Sequence, residues 1–354
     1  MPLRRPHIWA GGTQSVRDVV LVRWTRADGA VGWGECPTLE GYVTGGTTPA
    51  WDALVRVAPA LLAGALQPGA AGAWEGPVAG LPVAALGAVA DAALDAALRA
   101  DRRSLLEFLG AEPTPLDRTA VLGGPAESTD ARIAAALAAE DTGAAAVKLK
   151  VDASTPPEVI AAVVEAHGTV AVDANGTLTQ ERAAEFDELG LVYLEQPFDP
   201  ATSWEELAAW QESAVTPVAL DEPLGSVGDV ASALANHAAD IVSIKPARLG
   251  GSWAAVTAID AVMAADAGCF VGGMVELGVH RAGSAAVAAY AATHALALPT
   301  DLGPSAHYVD ADVCTPVVCD EAGRLIVPNG AGLGVDVDEV VVEQFASSVW
   351  DSHG

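Results

Sequence analysis

Residues 145–150 read AAVKLK, a short apolar run that ends in two lysines. Similar units, each a short apolar run ending in a charged residue, follow at 169–173 (TVAVD), 191–195 (LVYLE), 217–221 (PVALD) and 241–245 (IVSIK). Their charged ends are 22 to 26 residues apart, which is the length of one strand, one helix and two short loops. This regular alternation predicts an α/β fold with a parallel sheet closed into a barrel, and an open doubly wound sheet is the alternative.

The chain before these units has a different pattern. Apolar strand patterns at 19–24 and 31–35 flank the turn signal Asp28-Gly29, which predicts an antiparallel hairpin. Helical patterns follow over 49–63 and 81–109. This part of the chain therefore resembles a small α+β unit.

We accordingly expect two domains. A (β/α)7β TIM-like catalytic barrel is predicted over 114–322, and an α+β capping domain over 1–113, joined by the C-terminal segment 323–354. Loops of the cap near 12–17 and 40–46 are expected to close a site at the carboxyl ends of the strands, where barrels of this kind hold their active sites.

The composition narrows the classes of partner. The chain has 354 residues and a formal net charge of -28, which disfavours nucleic acid and membranes. No apolar run follows Met1 as in a signal peptide, and Asp91 and Asp95 interrupt the apolar stretch 81–100, which predicts a packed helix. The four cysteines form no CxxC pair, so we expect reduced thiols and a cytoplasmic protein.

Lysine is the unusual residue of this chain. It occurs only at 148, 150 and 245, whereas the other fifteen basic residues are arginines. Arginine replaces lysine on a solvated surface but not where a proton must leave, because guanidinium is effectively never deprotonated. The three lysines are therefore candidates for proton chemistry.

Asp173, Glu195 and Asp221 end three successive strands between these lysines. Any one of them alone could be a helix cap or a loop residue. Three converging carboxylates require a counter-charge, and oxygen ligands suit Mg²⁺ or Mn²⁺. We therefore predict a metal site formed by these three residues.

The lysines flank the predicted metal site. Lys148 and Lys150 share one side of their strand, since side chains alternate with period two. Lys245 ends the sixth strand, which lies opposite the second in a barrel. This arrangement suits removal of a proton from one face of a carbon next to a carboxylate and delivery to the other, with the metal stabilising the enediolate. The charge of Lys148 would help Lys150 to release its proton.

Together these motifs resemble the muconate-lactonizing branch of the enolase superfamily, and within it o-succinylbenzoate synthases and N-succinylamino acid racemases. The motifs that carry the resemblance are Lys148-x-Lys150, Asp173-x-Asn175, Glu195-Gln196-Pro197, Leu220-Asp221-Glu222, Lys245-Pro246-x-Arg248-x-Gly250-Gly251, Gly32-Trp33-Gly34-Glu35-Cys36, Gly272-Gly273-Met274-x-Glu276 and the looser Thr13–Asp18 and Asp301 with Ser305. They span nearly the whole chain.

The resemblance implies a set of roles. Asp173, Glu195 and Asp221 would bind Mg²⁺, Lys150 and Lys245 would be the acid/base pair, and Lys148 would tune Lys150. The residues it implies as substrate contacts or their support are Asn175, Glu222, Arg248, Gly273, Met274 and Glu276. The implied activity is the dehydration of menaquinone biosynthesis that yields o-succinylbenzoate, started by Lys150, together with racemisation of N-succinylamino acids by both lysines.

Other functions stay open at this point. Another racemase or cycloisomerase of the branch is one alternative, and a non-catalytic barrel that binds ligands is a distant one, although it predicts loss of a ligand or base. Dipeptide epimerases are disfavoured by Gly303, where they carry a second Asp. Three departures concern the substrate pocket: a short first strand at 6–12, Val121, and His280, for which an ordinary loop histidine is the simpler interpretation. Expected partners are a small carboxylate substrate and further copies of the chain.

Overall fold

The computed structural model describes most of the chain. The described residues are 1–9, 12–39, 46–62, 67–68, 74–75, 81–123 and 128–351. The predicted closing loop at 40–46 therefore lies, except for Gly46, outside the described residues.

Strand pairs and helices precede the barrel. The described pairs are β1 (Pro2–Trp9) with β2 (Gly12–Val16), β3 (Val20–Thr25) with β4 (Val31–Cys36), and β5 (Gln67–Pro68) with β6 (Trp74–Glu75), all antiparallel. The described helices of this region are α1 (Thr47–Leu62), α2 (Val83–Ala100) and α3 (Leu105–Leu109). The β3–β4 hairpin, in which Val20 pairs with Cys36, confirms the hairpin predicted from the Asp28-Gly29 turn.

Two predictions in this region were wrong in extent. The helical pattern over 81–109 is two helices, because Arg102 adopts a left-handed φ of 54° and Ser104 starts a new helix. The Ser104 side chain accepts from the Glu107 amide while the Glu107 side chain accepts from the Ser104 amide, which is a capping box. The first strand is also longer than predicted, since β1 begins at Pro2.

Parallel strands form the sheet of the barrel, and their order follows the chain. They are β7 (Thr119–Leu122), β8 (Ala146–Lys150), β9 (Val170–Asp173), β10 (Leu194–Glu195), β11 (Val218–Leu220), β12 (Ile241–Ile244), β13 (Gly268–Val271) and β14 (Leu296–Ala297). The helices that connect them are α4 (Thr129–Asp141), α5 (Pro157–His167), α6 (Gln180–Asp187), α7 (Trp204–Gln211), α8 (Val227–Ala235), α9 (Pro246–Leu249) with α10 (Ser252–Ala264), and α11 (Gly278–His294). After β14 come a 3-10 turn, Ser305–His307, and helix α12 (Glu339–Phe345).

Backbone hydrogen bonds join the two ends of this sheet. The Thr119 amide donates to the Thr300 carbonyl at 2.8 Å, and the Thr300 amide donates to the Asp117 carbonyl at 3.0 Å. A sheet with sequential strand order and joined ends fits a TIM-like barrel, and it excludes the open doubly wound alternative, in which the strand order reverses. The division into a capping domain and a barrel at residue 113 stays a prediction.

Helix α2 packs directly on the barrel just after the sixth strand. A Cβ on Gly87 would lie 2.7 Å from the Gly251 nitrogen, so the two backbones touch only because both residues are glycine. Gly250 and Gly251 have φ of 103° and 104°, a conformation that favours glycine. The Asp91 Oδ1 atom accepts from the Ser252 amide at 3.0 Å and fixes the same contact.

Burial of Asp91 leads to a prediction about stability and pH. Burial, with a smaller contribution from Asp95, raises the pKa of Asp91 to about 7, whereas an unfolded Asp titrates near 3.9. Between these values the native state holds a proton that the unfolded state lacks, so the free energy of unfolding falls as pH rises. Asp91→Asn keeps the acceptor for Ser252 and cannot ionise. From pH 5 to pH 8 we expect the stability of the variant to rise relative to wild type by on the order of 2 kcal/mol.

Urea unfolding at both pH values measures this difference. The same pH dependence in variant and wild type would show that Asp91 ionises in the folded protein as it does in the unfolded chain.

The four cysteines differ in burial. All four cysteines are free thiols, with Cys36, Cys269 and Cys314 buried and Cys319 partly buried. No described helix combines the length and the apolar character that a membrane span requires.

Candidate active site

The three lysines lie at the carboxyl end of the barrel, and each is paired with a carboxylate of the predicted metal site. The pairs, with their nitrogen–oxygen distances, are Lys148–Glu195 (2.5 Å), Lys150–Asp173 (2.5 Å) and Lys245–Asp221 (2.7 Å). The structure thus places each of the three lysines beside one of the three predicted ligands.

Strand register explains the convergence. Lys150 is the cross-strand partner of Asp173, and Asp173 is the partner of Glu195. Side chains alternate between the two faces of a strand. Leu149, between Lys148 and Lys150, is therefore on the opposite face and is buried in the hydrophobic core around the sheet. Two lysines separated by one apolar residue therefore both face the site.

Lys148 is the most enclosed of the lysines, with 2% of its surface exposed. Besides Glu195 it donates to Asp301, which follows the last strand, and its ammonium lies 5.0 Å from the centre of the Phe270 ring. Burial opposes the charge, but the Asp301 and Glu195 carboxylates outweigh it and hold the pKa of Lys148 well above its usual value. These two carboxylates therefore favour the charged form of Lys148.

Asp221 is shared by two cations. Its Oδ2 accepts from Lys245 and its Oδ1 accepts from the buried Arg248 guanidinium, both at 2.7 Å. Burial works against ionisation, but Arg248 and Lys245 outweigh it and hold the pKa of Asp221 well below its usual range. The Asp221 amide also donates to Gln196 Oε1 at 3.1 Å, which orients the strand end.

Glu195 has unused acceptor capacity. Its side chain is fully buried, and its Oε1 atom has no hydrogen-bond partner among the described residues. Burial and the nearby Asp173 carboxylate raise the pKa of Glu195 to about 8, against the attraction of Lys148. A buried carboxylate in this situation has a strong affinity for an additional cation.

The donor set fits a hard divalent cation, although the carboxylates are engaged with lysines. In the described part of the chain, no three acidic, histidine or cysteine side chains are gathered so that they could hold a metal ion. Each predicted ligand instead contacts an ammonium group. Three carboxylates on neighbouring strand ends and the unpartnered Glu195 Oε1 nevertheless supply the oxygen ligands that Mg²⁺ or Mn²⁺ prefers.

Asn175 and Glu222 extend the site on the side of Lys150. Asn175 Oδ1 accepts from Lys150 Nζ at 3.0 Å, and Asn175 Nδ2 donates to Glu222 Oε1 at 2.8 Å. Asn175 has a positive φ of 44°, a conformation that asparagine tolerates better than most residues. Asn175 therefore connects Lys150 with Glu222, the other residue predicted on this side as a substrate contact or its support.

Gly273, Met274 and Glu276 lie in a different place, on the turn that follows β13. A Glu276 carboxylate oxygen accepts from the Met274 amide, and Glu276 pairs with Arg281 at 3.6 Å. The turn meets the lysine site through Gly272, where a Cβ would lie 3.0 Å from Lys245 Cε. These predicted substrate residues thus form a second group beside Lys245.

His280 is not a loop histidine as predicted. It lies buried in the first turn of α11, and burial lowers its pKa to about 4, so the imidazole is neutral near pH 7. Its amide donates to Glu35 Oε2 at 3.0 Å, and the Leu277 amide donates to Glu35 Oε1 at 2.7 Å. Glu35, from β4, therefore caps the buried start of α11.

The prediction of site residues omitted Asp301, Arg17 and Glu35. Asp301 is an ion-pair partner of Lys148, and Arg17 and Glu35 bind the turn after β13 and the start of α11. The sequence contained a signal for each, because Glu35 lies in Gly32–Cys36, Arg17 in Thr13–Asp18, and Asp301 after the last strand. Their roles required knowledge of which distant segment each one meets.

Comparisons with known proteins agree with this fold and site. The family described as enolase C-terminal domain-like matches residues 130–341. An N-succinylamino acid racemase of Amycolatopsis sp is 33% identical over 99% of this chain and 96% of its own. An o-succinylbenzoate synthase of Geobacillus kaustophilus is 35% identical over 56% of this chain and 53% of its own.

Solved structures show the same architecture. A structure described as a probable mandelate racemase from Alicyclobacillus acidocaldarius has a TM-score of 0.85, with 32% identity over 99% of this chain and 95% of that one. A muconate lactonizing enzyme from Pseudomonas fluorescens has a TM-score of 0.80, with 23% identity over 97% of this chain and 95% of that one, and shows the fold alone.

The barrel has lysines and carboxylates at its strand ends, and the family and its relatives match most of the chain. The chain belongs to the enolase C-terminal domain-like family, and the resemblance to the muconate-lactonizing branch of the enolase superfamily is confirmed.

Proposed function

We propose that this protein is a metal-dependent enzyme that removes a proton from the carbon next to a substrate carboxylate. Its proposed reaction is the dehydration catalysed by o-succinylbenzoate synthases, with racemisation of N-succinylamino acids as a second activity. The observation that carries the proposal is the set of three lysine–carboxylate pairs at one end of the barrel. For binding alone arginine would serve at these positions, because binding requires no release of a proton.

Lys150 and Lys245 are the proposed acid/base pair. Lys150 lies on the second strand of the barrel and Lys245 directly after the sixth, so a substrate between them would present one face to each. In dehydration, Lys150 takes the proton beside the carboxylate and then gives it to the neighbouring hydroxyl, which leaves as water as the substrate ring becomes aromatic. In racemisation, one lysine takes the proton and the other returns one to the opposite face.

The metal would be held by Asp173, Glu195 and Asp221. When bound, a divalent cation supplies positive charge for the substrate carboxylate and for the negative charge that develops as the proton leaves. Lys148 remains a fixed counter-charge for Glu195 and Asp301, because both hold its ammonium group. Lys148 would thereby keep an electropositive site next to Lys150 in a chain of net charge -28.

Racemisation is supported as a second activity by two observations. The relative described as an N-succinylamino acid racemase matches almost the whole chain, including the N-terminal part that precedes the barrel. In addition, each of the two lysines forms an ion pair with one predicted metal ligand. Muconate cycloisomerase 1-2 of Acinetobacter lwoffii, 28% identical over 96% of this chain, keeps cycloisomerisation as an alternative.

Two assays test the proposal on the purified protein. Metal is first removed with EDTA and then Mg²⁺ is added back. We expect formation of the aromatic product from the synthase substrate and loss of optical rotation with N-succinylamino acids, both only with Mg²⁺. Racemisation without dehydration would overturn the first choice of reaction. The absence of both, and of any α-proton exchange, would overturn the enzyme class.

Glu195→Gln tests whether Glu195 is a metal ligand. The substitution keeps the size of the side chain and removes the charge of a predicted ligand. We expect Mg²⁺ to raise the melting temperature of the wild type but not that of the variant. An equal shift in both would contradict the assignment of Glu195 as a ligand.

A further inference from the structure

The turn between Gly272 and Glu276 contains a strained residue. Val275 has a φ of 56°, in the left-handed region that β-branched residues rarely occupy. Such a conformation persists only where surrounding contacts impose it, and it is found most often at functional sites.

Arg17 supplies these contacts from the other end of the chain. Its side chain is 1% exposed, and it donates from Nε to the Val275 carbonyl at 2.9 Å and from Nη2 to the Met274 carbonyl at 3.1 Å. Its Nη1 atom donates to the Thr38 carbonyl. A buried guanidinium is costly unless its donors are satisfied, and here backbone carbonyls satisfy them. Arg17 thus ties the turn to the N-terminal part of the chain.

The same turn touches Lys245. A Cβ on Gly272 would lie 3.0 Å from Lys245 Cε and 3.4 Å from Lys245 Cγ, so the backbone of the turn is packed against the lysine stem. The Gly272 amide also donates to the carbonyl of Ile244, the residue before Lys245, at 2.9 Å. Lys150 is held differently, by Asp173 and Asn175. Movement of the turn would therefore displace one lysine and spare the other.

We propose that Arg17 is a positioning residue for Lys245, acting through the turn Gly272–Glu276. The inference rests on the proposed function, because it assumes that each lysine serves one face of the substrate. Loss of Arg17 contacts then impairs proton transfer on the Lys245 face more than on the Lys150 face. A residue that only stabilised the fold would lower both rates together.

Deuterium exchange of the two enantiomers of an N-succinylamino acid measures the two faces separately. The Lys245-dependent enantiomer is identified as the one whose exchange Lys245→Arg abolishes. In Arg17→Lys we expect exchange of that enantiomer to fall by about 10- to 100-fold, since small displacements of a catalytic group have effects of this size. Exchange of the other enantiomer is expected to change by less than about 2-fold.

Arg118→Lys is the matched control. Arg118 is also buried, with 6% exposed, and it donates to the Gly323 carbonyl at 2.8 Å and the Thr142 carbonyl at 3.1 Å. It precedes β7 and so lies at the opposite end of the barrel from the lysines. This variant is expected to lower the melting temperature without changing the ratio of the two exchange rates.

Gly272→Ala tests the coupling between the turn and Lys245 while Arg17 is intact. It also provides a test if Arg17→Lys does not fold. The added methyl group presses on Lys245 Cε, so the same enantiomer is expected to exchange more slowly. An unchanged ratio in Gly272→Ala, or equal losses for both enantiomers in folded Arg17→Lys, would overturn the inference. If the wild-type protein exchanges neither enantiomer, the proposed function itself fails, which is a separate result.

Discussion

Replacing Lys150 by arginine is expected to lower the rate of dehydration by about 10²–10⁴-fold, the usual contribution of a general base, while the fold is retained. Arginine keeps the positive charge that pairs with Asp173 at 2.5 Å, so the electrostatic balance of the site is preserved. It cannot release a proton at neutral pH, so the base is lost. Product formation under single-turnover conditions and the melting temperature are the two measurements.

Lys245→Arg is the matched variant across the site. It too preserves a positive charge beside Asp221. If Lys245 mainly stabilises charge in dehydration, this variant keeps more of the dehydration activity than Lys150→Arg. Racemisation requires both lysines, so either variant is expected to abolish it. Dehydration that survives in Lys150→Arg at the wild-type rate would refute Lys150 as the base.

The pair of variants also separates the two proposed activities. A one-base dehydration depends unequally on the two lysines, whereas two-base racemisation depends on both. Equal loss of dehydration in both variants would indicate that Lys245 also transfers a proton in that reaction. The outcome therefore defines the role of Lys245 independently of which substrate is preferred.

The carboxyl ends of the strands could be predicted from sequence because their pattern is local. A short apolar run predicts a buried strand, and the charged residue that follows it marks the end that faces the site. Parallel pairing in sequential order then places Lys150, Asp173 and Glu195 side by side without further information. The six central residues were predicted in this way.

The contacts of Arg17 and Glu35 could not be predicted, because each joins segments far apart in the chain. Arg17 binds carbonyls more than 250 residues away, and backbone carbonyls carry no sequence signal. The division of the helical pattern at Arg102 was different, since Ser104 and Glu107 form a capping box that the sequence displays. That boundary was predictable and was missed, whereas the long-range contacts required the fold.

Replacing Lys148 by methionine is expected to destabilise the protein without metal by about 3–5 kcal/mol, the usual effect of removing one partner from a buried ion pair. Methionine is similar in length and fills the space, so the effect comes from charge and not from a cavity. It leaves Glu195 and Asp301 as two buried carboxylates without their shared cation. Urea unfolding of the metal-free protein measures the loss.

Asp301→Asn in the same background is the control that separates charge from packing. The double variant removes one of the two uncompensated carboxylates, so it is expected to recover part of the lost stability. Mg²⁺ is expected to stabilise Lys148→Met more than wild type, because the cation would replace the missing positive charge at Glu195. A loss below about 1 kcal/mol in the single variant, typical of an exposed pair, would show that water reaches these carboxylates. In that case Lys148 would be accessible to solvent, and water would screen the effect of its charge on the pKa of Lys150.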